Sequence, residues 1–179
     1  YIADKRNKDI LIYINGEFFH RSDAKVSVFD SGFLLGDGVW EGIRLHKNSL
    51  IHFDQHINRL YAGADAIAMK IQLNKNELKD AVRLTLEKNA MHSDTHIRLI
   101  VSRGIKSTPY QHPKVTIGDP TIVIIPEYKK PNSEVFNIGI RLASVKTKRD
   151  SRVQDPKINS LSKMNCISAC IEADRLGVD

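Results

Sequence analysis

The chain has 179 residues, 41% hydrophobic and 27% charged, which fits one domain or two small ones around a true core and excludes a mini-protein, a collagen-like repeat or a disordered chain. Its 27 lysines and arginines exceed 21 acids for a formal charge of +6, but the densest basic run, Lys146-Thr147-Lys148-Arg149-Asp150-Ser151-Arg152, is broken by an acid and lacks aromatic neighbours for base stacking, which argues against nucleic acid as a partner. No stretch approaches the roughly 20 continuous apolar residues of a membrane span, and the start Tyr1-Ile2-Ala3-Asp4-Lys5-Arg6 has no apolar core behind its charges, so the expectation is a soluble cytoplasmic protein with no membrane partner.

From Asp9 to His20 two apolar-rich runs flank Asn15-Gly16, the dipeptide best suited to the positive φ angles of a type I′ turn, and predict a β-hairpin. Residues 26–30, 39–46 and 50–53 read as further strands of an antiparallel meander, the last two joined by the turn Lys47-Asn48-Ser49. Asp54 offers an N-cap for a helix whose buried face is Ile57, Leu60, Tyr61, Ala64, Ile67 and Ala68, spaced by three and four. Asn74 with Glu77 reads as a capping box opening a second helix with the stripe Leu78, Val82, Leu86, ending near Met91.

Residues 96–101, 121–125 and 136–145 are dense in β-branched residues and predict three more strands. An irregular loop occupies 104–120, and 161–177 reads as a helix with Gly177 as its C-cap. Within that helix Cys166 and Cys170 stand four apart, poorly placed for a disulfide, so reduced, half-buried thiols are expected. No metal is expected.

These elements imply an α+β protein with a small domain over 1–126, a linker over 127–133 containing Lys129-Lys130 and Pro131, and the beginning of a larger domain over 134–179. One strand and one helix cannot close a core, so the chain is expected to be C-terminally incomplete.

The stretch Phe29-Asp30-Ser31-Gly32-Phe33-Leu34-Leu35-Gly36-Asp37-Gly38-Val39-Trp40-Glu41-Gly42 sets acidic and aromatic groups among four glycines, where backbone can approach a ligand. With Ile43-Arg44, the helix segment His56-Ile57-Asn58-Arg59-Leu60, the strand Ile97-Arg98-Leu99-Ile100-Val101-Ser102-Arg103-Gly104 and Asp155-Pro156-Lys157-Ile158-Asn159-Ser160-Leu161, it resembles the class IV aminotransferases. That pyridoxal-phosphate fold is shared by branched-chain aminotransferases, D-amino-acid aminotransferases and aminodeoxychorismate lyase, and Glu41-Gly42-Ile43-Arg44 is most like the branched-chain members.

The resemblance implies pyridoxal 5'-phosphate as cofactor, an amino acid and a 2-oxo acid as substrates, and a homodimer. It places Arg59 at the cofactor phosphate, where a guanidinium offers a rigid fork of donors and a position early in a helix adds favourable dipoles. Trp40 takes the aromatic position lining the substrate side-chain pocket, and Arg98 that of an arginine holding the substrate carboxylate. His96 stands where many members have tyrosine.

In the family one lysine anchors the cofactor covalently and moves the substrate Cα proton. The same alignment of motifs puts that position of the cofactor site at Asn159, whose carboxamide is neither nucleophile nor base. Lys163, one helical turn on, is the favoured replacement, and Lys157, two residues before on the same side of an extended segment, is the alternative. Three functions follow: a transaminase using Lys163, a catalytically silent ligand-binding relative, or an aminodeoxychorismate-lyase-like enzyme.

Overall fold

The computed structural model describes residues 4–130, 132–152 and 154–178. Strands β1 (Leu11–Ile14) and β2 (Glu17–His20) form the expected hairpin, with Asn15 at φ 48° and Gly16 at φ 98°. A single turn of helix, α1 (Ser31–Leu35), leads into β3 (Gly38–His46), and a two-residue β4 (Ser49–Leu50) folds back on its end. Helices α2 (Phe53–Ala66) and α3 (Lys75–Lys88) follow, then the long hairpin of β5 (Thr95–Ser102) and β6 (Thr121–Tyr128). The six strands form one antiparallel sheet in the order β2-β1-β6-β5-β3-β4. The first hairpin therefore docks on β6, the last strand, rather than continuing a meander.

Alternation along the strands separates two faces. Val39, Ile43 and Leu45 of β3, Ile97, Leu99 and Val101 of β5, and Ile124 of β6 are buried against Ile57, Leu60 and Ala64 of α2 and Leu78, Val82 and Leu86 of α3. Each large apolar side chain buried there contributes on the order of 1.5–3 kcal/mol. The opposite face carries Trp40, Gly42 and Arg44 beside His96, Arg98 and Ile100, all only partly covered.

Several expectations are corrected. Residues 26–30 form turns rather than a strand, because Asp30 turns its carboxylate to the Gly32 N–H at 2.8 Å and caps α1. The strand expected over 50–53 stops at Leu50, and α2 begins after His52, in a left-handed conformation (φ 50°), not after Asp54. Asp54 instead pairs with Lys79 of α3 at 2.6 Å. The Asn74–Glu77 capping box is formed in full, and α3 closes at Lys88, before Met91.

Strand β6 runs three residues past Ile125 into the expected linker. Pro126 is tolerated because β1 pairs with β6 only at Val123 and Ile124, leaving the outer edge of β6 free. Asn7 then serves as a substitute strand, accepting from the Tyr128 N–H at 2.7 Å and donating to its carbonyl at 2.9 Å.

The strand expected over 136–145 is absent: α4 (Glu134–Ile138) is followed by irregular chain, and Phe136 and Ile138 are each 81% exposed. No described strand pairs with it, and β-branched residues alone do not make a strand. The last helix, α5, spans Met164–Arg175, shorter than 161–177, because 159–162 lies along β3; its C-cap is Leu176 rather than Gly177, which follows at φ 67°. Cys166 is half-buried as expected, whereas Cys170 is exposed; both are free thiols.

Candidate active site at the edge of the sheet

Glu41 occupies an inward-facing position of β3, between Val39 and Ile43, and is fully buried. A carboxylate there requires partners, and α2 supplies two. Arg59 donates from Nε to Oε1 at 2.7 Å and from Nη2 to Oε2 at 2.6 Å, and His56 Nδ1 meets Oε2 at 2.8 Å. The carboxylate raises the Arg59 guanidinium above its ordinary pKa. The Arg59 side chain remains 54% exposed, with donors on Nη1 that Glu41 does not use. Arg59 is the seventh residue of α2, two turns in, so the favourable dipole expected from a place early in the helix does not act on it.

On the opposite face of β3, one residue away, Trp40 gathers two cations. The Arg98 guanidinium carbon lies 3.8 Å from the ring centroid and Lys163 Nζ 5.3 Å from it. No acceptor among the described residues hydrogen-bonds to the Arg98 guanidinium, whose pKa is lowered by burial. His96 lies alongside, opposite Arg44 in the register and reaching diagonally toward Gly42, whose own partner is Arg98. A Cβ at residue 42 would meet His96 Nε2 at 3.0 Å and the Trp40 ring at 3.5 Å, so a larger residue there would press on His96. Burial, then the Arg98, Lys129 and Arg44 charges, lower the His96 pKa.

The glycine-rich turn holds the segment that carries position 159. Leu161 N–H donates to Gly38 O at 2.9 Å, Trp40 N–H to Asn159 O at 2.9 Å, and Trp40 Nε1 to Ser160 O at 3.1 Å. Residues 159–161 thus run antiparallel against the free first half of β3. A Cβ on Gly38 would lie 2.7 Å from Leu161 Cδ1, and one on Gly36, itself at φ 67°, would lie 3.0 Å from Ser162 Cα. Two of the four glycines are therefore there to admit this strand-like segment.

This changes the expected relation between the lysines. Residues 159–162 are not helical, so Lys163 does not stack one helical turn above Asn159; it is the N-cap residue of α5, partly buried, with its amine at Trp40. Lys157 is exposed, in a turn where its N–H donates to Asp155 Oδ1 at 2.9 Å. Asn159 is half-buried. The structure thus brings together Trp40, Arg98, Lys163 and the backbone of Asn159, with Arg59 on the other face of the same strand and Lys157 apart.

Two supporting pairs escaped the sequence reading. Glu41 was detectable as an acid at an apolar-facing register of β3. Asp37 and Arg103 form a two-pronged ion pair (2.7 and 3.0 Å), and Arg103 also donates to the Ile67 and Ala68 carbonyls at the end of α2. That pair ties the glycine-rich turn to α2, but its residues lie 66 apart and carry no local signal.

Residues 38–179 match the family described as amino-transferase class IV, and the chain belongs to it. It is 40% identical over 169 residues to a putative branched-chain-amino-acid aminotransferase of Methanocaldococcus jannaschii, covering 94% of this chain and 57% of that one. It is 29% identical over 153 residues to a D-alanine aminotransferase of Staphylococcus haemolyticus, covering 86% of this chain and 54% of the relative. The branched-chain aminotransferase of Thermoproteus uzoniensis, solved with norvaline, superposes with a TM-score of 0.82 at 24% identity over 95% of this chain and 58% of that one. The T.th. branched-chain amino acid aminotransferase, solved with pyridoxamine 5'-phosphate, gives 0.82 at 23% over 96% and 57%. The chain thus has the class IV fold and spans somewhat over half the length of these relatives.

Proposed function

We propose that the protein moves an amino group between an amino acid and a 2-oxo acid with pyridoxal 5'-phosphate, its substrates being branched-chain-like or D-amino acids. The observation that carries this reading is the Arg98 guanidinium, packed on the Trp40 ring and without a protein acceptor among the described residues. A planar fork of donors above an aromatic wall is a receptor for a carboxylate with an apolar group beside it. The names of the relatives, branched-chain and D-alanine aminotransferases, support the substrate class.

The residues fit the cofactor at its phosphate end: Arg59 is fixed by Glu41 and still offers outward donors. They do not fit a covalent bond at residue 159, where asparagine has no nucleophilic amine. When bound, the cofactor supplies an electron sink for the substrate Cα. Arg59 holds the phosphate, Arg98 orients the substrate carboxylate, and Trp40 lines the side-chain pocket and keeps water from it.

A homodimer is part of this reading, supported by apolar side chains exposed around the glycine-rich turn, among them Val28, Phe29, Phe33 and Ile105. The test is amino transfer by the purified protein with cofactor and paired amino and 2-oxo acids. Product formation that falls when Arg98 is changed to alanine, chiefly through a higher KM, is expected. No transfer with any branched-chain or D-amino acid pair overturns the reading.

A further inference from the structure

Resting on the cofactor reading above, we propose that Lys163 is the residue that binds the cofactor aldehyde covalently, in place of residue 159. The segment around 159 has little freedom to bring another group forward. Its backbone is bonded to Gly38 and Trp40, and the Trp40 indole N–H holds the Ser160 carbonyl. Leu161 and Ser162 fill the space left by the missing side chains of Gly38 and Gly36. The first lysine beyond this clamp is Lys163, and its Nζ returns over Trp40, 5.3 Å from the ring centroid.

The other lysines nearby are placed differently. Lys157 is exposed in its turn, on the far side of the clamp. Lys106 is 1% exposed and spends its amine on the His112 carbonyl at 3.4 Å, beneath a loop. Lys163 makes no ion pair with any described carboxylate. It also borders a cavity of about 150 Å³ whose lining includes Ser160, Ser162 and Asn165 together with Arg149, Asp150 and Asp155. The amine attacks the aldehyde carbon, the carbonyl oxygen leaves as water after taking up two protons, and a carbon–nitrogen double bond joins Lys163 to the ligand.

Borohydride reduction of the protein saturated with pyridoxal 5'-phosphate tests this, because hydride addition to the carbon and a proton on nitrogen convert any such bond into a stable secondary amine. Peptide mass spectrometry is expected to place the adduct on Lys163, and Lys163→Met to abolish it while leaving circular dichroism unchanged. Saturable cofactor binding with the adduct on Lys157 or Lys106, or with no adduct, overturns the assignment to Lys163 and leaves the cofactor reading standing. Absence of saturable binding, followed through Trp40 fluorescence, overturns the cofactor reading and this inference with it.

Discussion

Arg59 grips Glu41 through two parallel hydrogen bonds of 2.7 and 2.6 Å, although the carboxylate is completely buried and the arginine side chain is half exposed. The pair reaches from the interior of the sheet to its edge and fixes the outward donors of Arg59 in one orientation. Glu41→Gln keeps the shape but loses the charge, and an uncharged acceptor facing a guanidinium and a histidine is predicted to lower stability by about 1–3 kcal/mol. Urea unfolding of the two proteins measures this. An unchanged midpoint would show that the pair contributes nothing net.

Gly38→Ala is predicted to disturb the clamp on 159–162. The new methyl would meet Val101 O at 2.5 Å and Leu161 Cδ1 at 2.7 Å, an overpacking that costs about 1–3 kcal/mol. Part of the clash falls on the β5 backbone and part on Leu161, so the 159–162 segment loosens with the strand, and trypsin is expected to cut faster after Lys157 and Lys163 than in the unmodified protein. Equal cleavage rates would mean that the segment is held elsewhere.

His96 makes stability depend on pH in a defined direction. Burial, with the Arg98, Lys129 and Arg44 charges and against the opposing Glu127, lowers its folded pKa below the ordinary 6.5. The unfolded chain therefore binds the proton first as pH falls. Stability is at its full value above about 6.5 and declines below it. His96→Gln is predicted to flatten the dependence of the urea midpoint on pH between 7.5 and 5, and a slope as steep as that of the parent protein would refute the assignment.

Tyr61 acts at the other end of the scale. Desolvation, and then the Glu77 charge, push its phenol up to about 12, while its hydroxyl donates to the Leu73 carbonyl at 2.5 Å. The folded state holds this proton while the unfolded state, with a phenol near 10, releases it, so stability is lost as pH rises from about 10 through 12. Burial also raises the Tyr13 phenol, so ultraviolet titration should show late phenolate absorbance of which the Tyr61 part disappears in Tyr61→Phe.

The parts legible from sequence were those with a strong local period or a specific cap. Asn15-Gly16 fixed the first hairpin, the Asn74–Glu77 box fixed the start of α3, and the stripe Ile57, Leu60, Ala64 fixed α2. Residues 136–145 have the composition of a strand but no described partner, and strand formation is decided by pairing rather than by composition. The helix boundary at 161 moved because Leu161 is claimed by Gly38.

At the site, motif positions led to Arg59, Trp40, Arg98 and Lys163, but the reason Lys163 meets Trp40 was hidden. It depends on how 159–161 runs against β3, where two glycines far earlier in the chain, Gly36 and Gly38, leave space for it. Glu41 could have been found as an acid at an apolar-facing register of β3, whereas the Asp37–Arg103 pair, 66 residues apart, carries no local signal.

On the proposed reading, Arg59 and Trp40, at opposite faces of β3, serve one cofactor site. Trp40 is the chain's single tryptophan, so its fluorescence reports that site without a label. Titration with pyridoxal 5'-phosphate is predicted to quench it saturably, and Arg59→Ala to move the saturation to much higher cofactor concentration while the endpoint stays quenched. Quenching with the same affinity in Arg59→Ala would contradict the account, since the residue assigned to the phosphate would then play no part in binding the group that Trp40 senses.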